Sequence, residues 1–318
     1  MPFSVDHENP VGEDLRLEYR YLDLRRKTMK ENAVMRHKIV LETMNFFDKK
    51  EFLHLETPTF VKNTPEGSRE YVVPARFEPG KFFVLPQSPQ QFKQMLMVAG
   101  FDKYFQIARC YRDEDPRGDR QPEFTQVDFE LSFVEQQDIL ELIEEYFMHL
   151  SAKFYPNKKI KAEPFPVLTW KEAMDLYGID KPELRVDNFT FHEVTDWAKK
   201  SDFTVFQQAP CVKALVLPKE MGRSEVEKKY EFLAKSFGSK GMPWLCLSKE
   251  EGLKGSIAKF IGEAALEELK QLTGATEGTT IIFQADTWLK ACEYLGKLRI
   301  EAIKQLDLLK GKEDELAF

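Results

Sequence analysis

The stretch CYRDEDPRGDRQPEFTQVDFE, residues 110–130, packs ten charges into 21 residues and then turns into a regular alternation. From Phe124 onward, Gln126, Asp128, Glu130 and Ser132 share one face of an extended strand, while Val127, Phe129, Leu131 and Phe133 share the other. The apolar face is expected to enter the core. The polar face has two readings: solvent exposure on one side of an antiparallel sheet, or a surface built for a ligand. The preceding segment YFQIARCYR, residues 104–112, reads as a second strand with Gln106, Ala108, Cys110 and Arg112 on one face. Paired as a hairpin with those faces aligned, the two strands would set Arg112 beside the Gln126, Asp128 and Glu130 row. A fixed cation next to fixed carboxylates suits a ligand that is both anionic and cationic, such as an amino acid together with a nucleotide.

Working outward, residues 28–50 space Val34, Ile39, Leu41, Met44, Phe46 and Phe47 as an amphipathic helix. EFLHLETPTF, residues 51–60, alternates as a short strand stopped at Pro58. A turn-rich loop, VKNTPEGSREY, places Glu66 between Pro65 and Gly67, where it could close over a site. KFFVLPQ is another strand. SPQQFKQMLMVAG reads as a helix capped by Ser88, with Pro89 at its first position and Gly100 as its stop. On that helix Gln90 and Lys93 can face the same way. DILELIEEYFMHLSAKFY is a helix with Asp138 as its cap. After about residue 185 the pattern changes to alternating helices (191–201, 223–238, 262–274) and strands (212–218, 243–248, 279–285), an α/β or α+β module. A final helix follows, over 286–309.

Composition narrows the function. The 42% hydrophobic and 13% aromatic content is that of a folded protein and not of a disordered one. With 46 basic and 53 acidic residues the net charge is −7, so any RNA contact needs local basic patches such as RYLDLRRKTMK, residues 20–30. Cys110, Cys211, Cys246 and Cys292 show no C-x-x-C spacing, which argues against a zinc site or a disulfide framework. The five histidines form no metal-binding pair. A carboxylate-bound magnesium site stays open. No apolar run approaches membrane-spanning length and no signal-peptide pattern begins the chain, so it reads as cytoplasmic.

These residues resemble the class II aminoacyl-tRNA synthetases, most closely the bacterial-type aspartyl enzymes. The helix plus FLHLETPTF resembles motif one, TPEGSREYVVPAR the flipping loop, and residues 85–130 the amino-acid site followed by motif two. The resemblance implies an α+β fold: an incomplete class II antiparallel sheet flanked by helices, with an inserted α/β-type domain. It implies a hinge at 1–27, a catalytic core at 28–185, an insertion domain at 186–290 and a return helix at 291–318. Arg112 would be the catalytic residue, holding the ATP α-phosphate and the aminoacyl carboxylate. ATP would also meet Glu114, Arg120, Gln121 and Phe124, the last stacking on adenine. Aspartate would be held by Glu66, Ser88, Gln90, Lys93, Arg112, Gln126 and Asp128, with Lys93 on its side-chain carboxylate. Arg117, Gly118 and Arg120 would touch the tRNA acceptor end, and Pro58 would lie in a homodimer interface. ATP, L-aspartate, tRNA and Mg2+ are the implied ligands.

Attack of an already ionised carboxylate on an α-phosphate needs positioning and charge stabilisation but no protein nucleophile. This accounts for a chain without a Ser/His/Asp or Cys/His arrangement. The resemblance also implies that motif three, the magnesium carboxylates and an N-terminal anticodon-binding domain lie outside this chain, an internal piece of a longer enzyme. Two other readings are a non-catalytic synthetase relative that binds tRNA or a partner, and an amide-forming relative that uses aspartate and ATP without tRNA.

Overall fold

The computed structural model describes residues 2–5, 10–65, 67–115 and 120–318. Glu66, Arg117 and Gly118, three of the expected site residues, lie outside this range. The chain forms two compact units, Met1–Tyr155 and Pro156–Phe318.

In the first unit, α1 (Glu13–Glu18) and α2 (Arg20–Asp23) occupy what was expected to be a hinge. Their basic stretch folds inward: Arg16, Arg20 and Arg26 converge on Asp23, whose side chain is fully buried. At least these three cations are therefore engaged by protein and are not an open RNA patch. Helix α3 (Lys27–Lys49) follows the expected span, but its buried residues are confined to the C-terminal end, at Thr43, Phe46 and Phe47. Phe46 and Phe47 pack with Phe52, Phe105, Leu142 and Tyr146, whereas Val34 and Leu41 are exposed. Of the strand expected at 51–60, only β1 (Leu53–His54) pairs, parallel to β4. β2 (Val72–Pro74) and β3 (Phe82–Val84) form a small antiparallel pair.

Helix α4 (Gln90–Val98) starts one residue later than expected, with Pro89 in the capping position. Ser88 still serves the entry, since its Oγ accepts the Gln90 N–H at 3.3 Å. β4 (Lys103–Tyr111) and β5 (Glu123–Leu131) pair antiparallel in the aligned register, Gln106 opposite Asp128 and Cys110 opposite Phe124. The sheet order is β1-β4-β5. α5 (Gln136–Phe154) closes the unit through a capping box in which Glu135 is the cap and Asp138 its third-position partner, not the cap itself. The apolar face of β5 only partly enters the core. Phe129 and Leu131 pack there, but Val127 is 40% exposed and Phe133, past the strand end, is 98% exposed. At Phe133 the backbone turns left-handed (φ 57°), which ends the alternation and swings the ring out.

The second unit starts with β6 (Lys159–Ile160) and α6 (Trp170–Tyr177). Residues 156–185, expected with the catalytic core, pack in this unit because β6 pairs with β12 (Glu315–Leu316) and Arg299 donates to the Glu183 and Phe189 carbonyls. Phe191–Glu193, expected in a helix, is strand β7, with Phe191 buried opposite Leu215; the helix is the shorter α7 (Thr195–Lys199). Then come α8 (Thr204–Gln208), β8 (Cys211–Leu217) and α9 (Arg223–Glu225), which runs through a π-helical turn at Val226–Glu231 into α10 (Phe232–Ser236). β9 (Trp244–Ser248), β10 (Gly252–Gly255), α11 (Glu263–Thr273), β11 (Thr279–Asp286) and α12 (Trp288–Gln305) complete it. The sheet order is β10-β9-β11-β8-β7, antiparallel throughout, which selects α+β from the two expected arrangements. Its faces feed two cores, one under α12 with Leu215, Ile282 and Leu295, the other under α7 and α11 with Val212, Phe283 and Leu269. All four cysteines are buried thiols, none of them in a disulfide. No described helix is long and apolar enough to cross a membrane.

Candidate functional site

Besides the Asp23 cluster, buried charge in the first unit concentrates on the polar face of the β4–β5 hairpin. Lys93 reaches it from α4, its Nζ 2.9 Å from Asp128 Oδ1 and 3.2 Å from Glu130 Oε2. Only 8% of Lys93 and 8% of Asp128 is exposed, so the pair is screened little by water. Burial works against the Lys93 charge, but the hydrogen bond and charge of Asp128, with Glu130 behind it, outweigh it and raise the ammonium pKa. The lysine stays protonated at neutral pH, a fixed cation flanked by two carboxylates.

A second layer holds this triad. Gln106 Oε1 accepts hydrogen bonds from Tyr104 Oη at 2.8 Å and Thr57 Oγ1 at 3.0 Å. Gln126 Oε1 accepts the Cys110 thiol at 3.2 Å. Gln87, fully buried just before α4, donates through Nε2 to the Thr64 carbonyl at 2.6 Å and accepts the Ser68 N–H at 3.0 Å. These bonds fasten the loop that sequence alone marked as a closing element.

Toward the hairpin mouth the same face carries Arg112, whose guanidinium lies 5.0 Å from the Phe124 ring centre. Its backbone N–H bonds to the Pro122 carbonyl at 2.8 Å, which fixes the loop entry. Arg112, Glu114, Arg120, Gln121 and Phe124 line one cleft of about 710 Å³. Arg120 and Glu114 sit 3.7 Å apart across it. The cleft also recruits two arginines that sequence reading missed: Arg36 of α3 donates to Thr125 Oγ1 at 2.7 Å, and Arg109 pairs with Glu123 at 2.7 Å. Their side chains come from positions that look like ordinary surface charge on a helix and on the opposite strand parity.

The structure thus gathers Lys93, Asp128 and Gln126 on one polar row, and Arg112, Glu114, Arg120, Gln121 and Phe124 around one cleft. Ser88 and Gln90 stand at the start of the helix that delivers Lys93. Pro58 is exposed, one residue beyond the Thr57 that braces Gln106. A buried cation between carboxylates, continued by an arginine over an aromatic ring, can pair with a zwitterion at one end and with a phosphate and a flat base at the other.

The chain belongs to the class II tRNA synthetases of the D, K and N group, whose family model matches residues 12–243. Residues 204–295 also match the GAD domain. The chain is similar to an aspartate–tRNA(Asp) ligase of Deinococcus radiodurans, 46% identical over 98% of this chain and 52% of that protein. It is 45% identical to an aspartate–tRNA(Asp/Asn) ligase of Thermodesulfovibrio yellowstonii over 98% and 52% of the two chains. An aspartate–tRNA ligase of Bacteroides fragilis is 44% identical over 96% and 53%. The chain spans about half the length of the curated relatives it matches.

Proposed function

We propose that this chain carries the aspartate-activating part of an aspartate–tRNA ligase. The observation that carries the reading is the buried Lys93–Asp128 pair, with the half-buried Glu130 beside it, on the same sheet face as Arg112 and Phe124. Lys93 would take the side-chain carboxylate of L-aspartate. Asp128, with Glu66, Ser88, Gln90 and Gln126, would surround its ammonium. Phe124 would stack on adenine, with Glu114 and Gln121 beside the nucleotide and Arg120 on the outer phosphates. A carboxylate oxygen of aspartate attacks the α-phosphorus of ATP, the bond to the β-phosphate breaks, and pyrophosphate leaves. Arg112 would hold the charge that builds on the α-phosphate and the attacking carboxylate. The ribose hydroxyl of the tRNA end then attacks the aspartyl carbonyl and AMP leaves. Arg117, Gly118 and Arg120 would meet that end.

Mg2+ belongs to this reading as the counter-ion of ATP. Among the described residues no group of three or more His, Cys, Asp or Glu is arranged to hold a metal; Mg2+ would be held chiefly by the phosphates of ATP. The proposed assembly is a cytoplasmic homodimer with Pro58 and the exposed half of α3 at its interface. The test is L-aspartate-dependent ATP–pyrophosphate exchange by this chain, with Arg112→Ala beside it. Exchange that the substitution abolishes supports the reading. L-aspartate and ATP binding without exchange would favour a non-catalytic relative, and exchange that survives Arg112→Ala would remove Arg112 from the reaction.

A further inference from the structure

Behind the lysine triad lies a block of four side chains. The register sets Tyr104 opposite Glu130 and Gln106 opposite Asp128, and alternate residues share a face, so the block forms two adjacent cross-strand pairs. Asp128 gives Oδ1 to Lys93, but its Oδ2 is buried with no hydrogen-bond partner among the described residues. A buried carboxylate oxygen left unmet is costly, and more so if a ligand carboxylate draws Lys93 toward itself.

The group beside it that can supply a proton is the Tyr104 hydroxyl. Tyr104 is fully buried and donates to Gln106 Oε1 at 2.8 Å. Burial, and then the charge and hydrogen-bonding reach of Asp128, push its phenol far above the ordinary tyrosine range, so it keeps its proton at any physiological pH. Gln106 Oε1 has a second donor in Thr57 Oγ1 at 3.0 Å. The amide oxygen therefore remains satisfied when Tyr104 turns its single proton elsewhere.

We propose that Tyr104 is a positioning residue of this site: its hydroxyl turns from Gln106 to the free oxygen of Asp128 and fixes that carboxylate for the ammonium group of an amino-acid ligand. Thr57 makes the turn possible by holding Gln106 in the meantime. The inference deepens the reading of the site given above and rests on it for the identity of the ligand.

The 318-residue chain and its Tyr104→Phe variant, which loses one oxygen and keeps the ring, are titrated calorimetrically with L-aspartate and with succinate. Succinate has both carboxylates and no ammonium. Tyr104→Phe is expected to weaken L-aspartate binding by about tenfold, the loss of one hydrogen bond to a charged group, and to leave succinate unchanged. Equal weakening of both ligands, or of neither, overturns the proposal. Should the unsubstituted chain bind no L-aspartate, the reading of the ligand fails. The carbon-13 resonance of the Asp128 carboxyl group, measured in a Lys93→Met background that takes the ammonium from Asp128 as a bound carboxylate would, then decides the role of Tyr104. Its displacement in Tyr104→Phe with the Glu130 signal unmoved supports the role, and an unmoved Asp128 signal overturns it.

Discussion

Replacing Lys93 by Met keeps the length of the side chain and removes the charge, leaving Asp128 and Glu130 to face each other with no cation between them. Breaking a buried pair from one side costs about 3–5 kcal/mol, so Lys93→Met should lower the urea midpoint of the first unit clearly. The pKa direction gives a second test. Lys93 is raised in the folded chain, so its contribution to stability is complete below the ordinary lysine value of 10.5 and is lost only as the pH climbs through the higher folded value. Denaturation followed from pH 9 upward should show the difference between the native chain and Lys93→Met persisting past 10.5 and then closing. At this scale the parts of the triad were legible separately, and their meeting was not. Strand parity put Asp128 and Glu130 together, and helical spacing put Lys93 with Gln90. Tyr104, Gln106, Thr57 and Gln87 were not legible, because a glutamine or tyrosine in a strand looks the same whether it braces a site or fills a core. Only the cross-strand register distinguishes them.

Between elements, the tightest approach among the described glycines is where α12 crosses the end of α6. A Cβ on Gly296 would fall 2.4 Å from the Gly178 carbonyl oxygen, and one on Gly178, which is left-handed at φ 68°, 2.0 Å from the Cys292 carbonyl oxygen. Both obstacles are backbone, so neither can step aside cheaply. Gly296→Ala should destabilise the second unit by about 1–3 kcal/mol, while Gly241→Ala, which meets nothing within 4 Å, should not. Thermal unfolding of the two variants checks this. The hairpin of β4 and β5 was readable because Gln126 to Leu131 alternate polar and apolar residues in β5 and a charged turn separates it from a second apolar-rich run of the same length. β1 and β3 fall within the strands expected at 51–60 and 81–87 but keep only two and three residues, and β2, also three residues, is too short to show a period. Phe191–Glu193 misled for a related reason. Three residues leading straight into α7 continue a helical pattern, and it is the pairing with β8 that makes them a strand.

For the whole molecule, the family was legible through motif two, where charged and aromatic positions recur in fixed register; the two compact units of the structure meet at 155/156. The contacts that carry residues 156–185 into the second unit are long-range ones, from β12 and Arg299, and leave no local mark. The exposed apolar residues of α3, Val34 and Leu41, bear on assembly. A homodimer that covers them should sediment at twice the 37.1 kDa chain mass, and Leu41→Lys should shift it to the single mass. The central claim is that the polar face of the β4–β5 hairpin recognises a zwitterion with a second carboxylate. The most direct measurement is equilibrium binding of L-aspartate and L-asparagine to this chain in the presence of ATP, with Lys93→Met alongside. The account predicts that aspartate binds more tightly by about a hundredfold or more, since asparagine leaves a buried cation without its partner, and that Lys93→Met erases the preference. Equal affinity for the two amino acids, or a preference that survives the loss of Lys93, would contradict it.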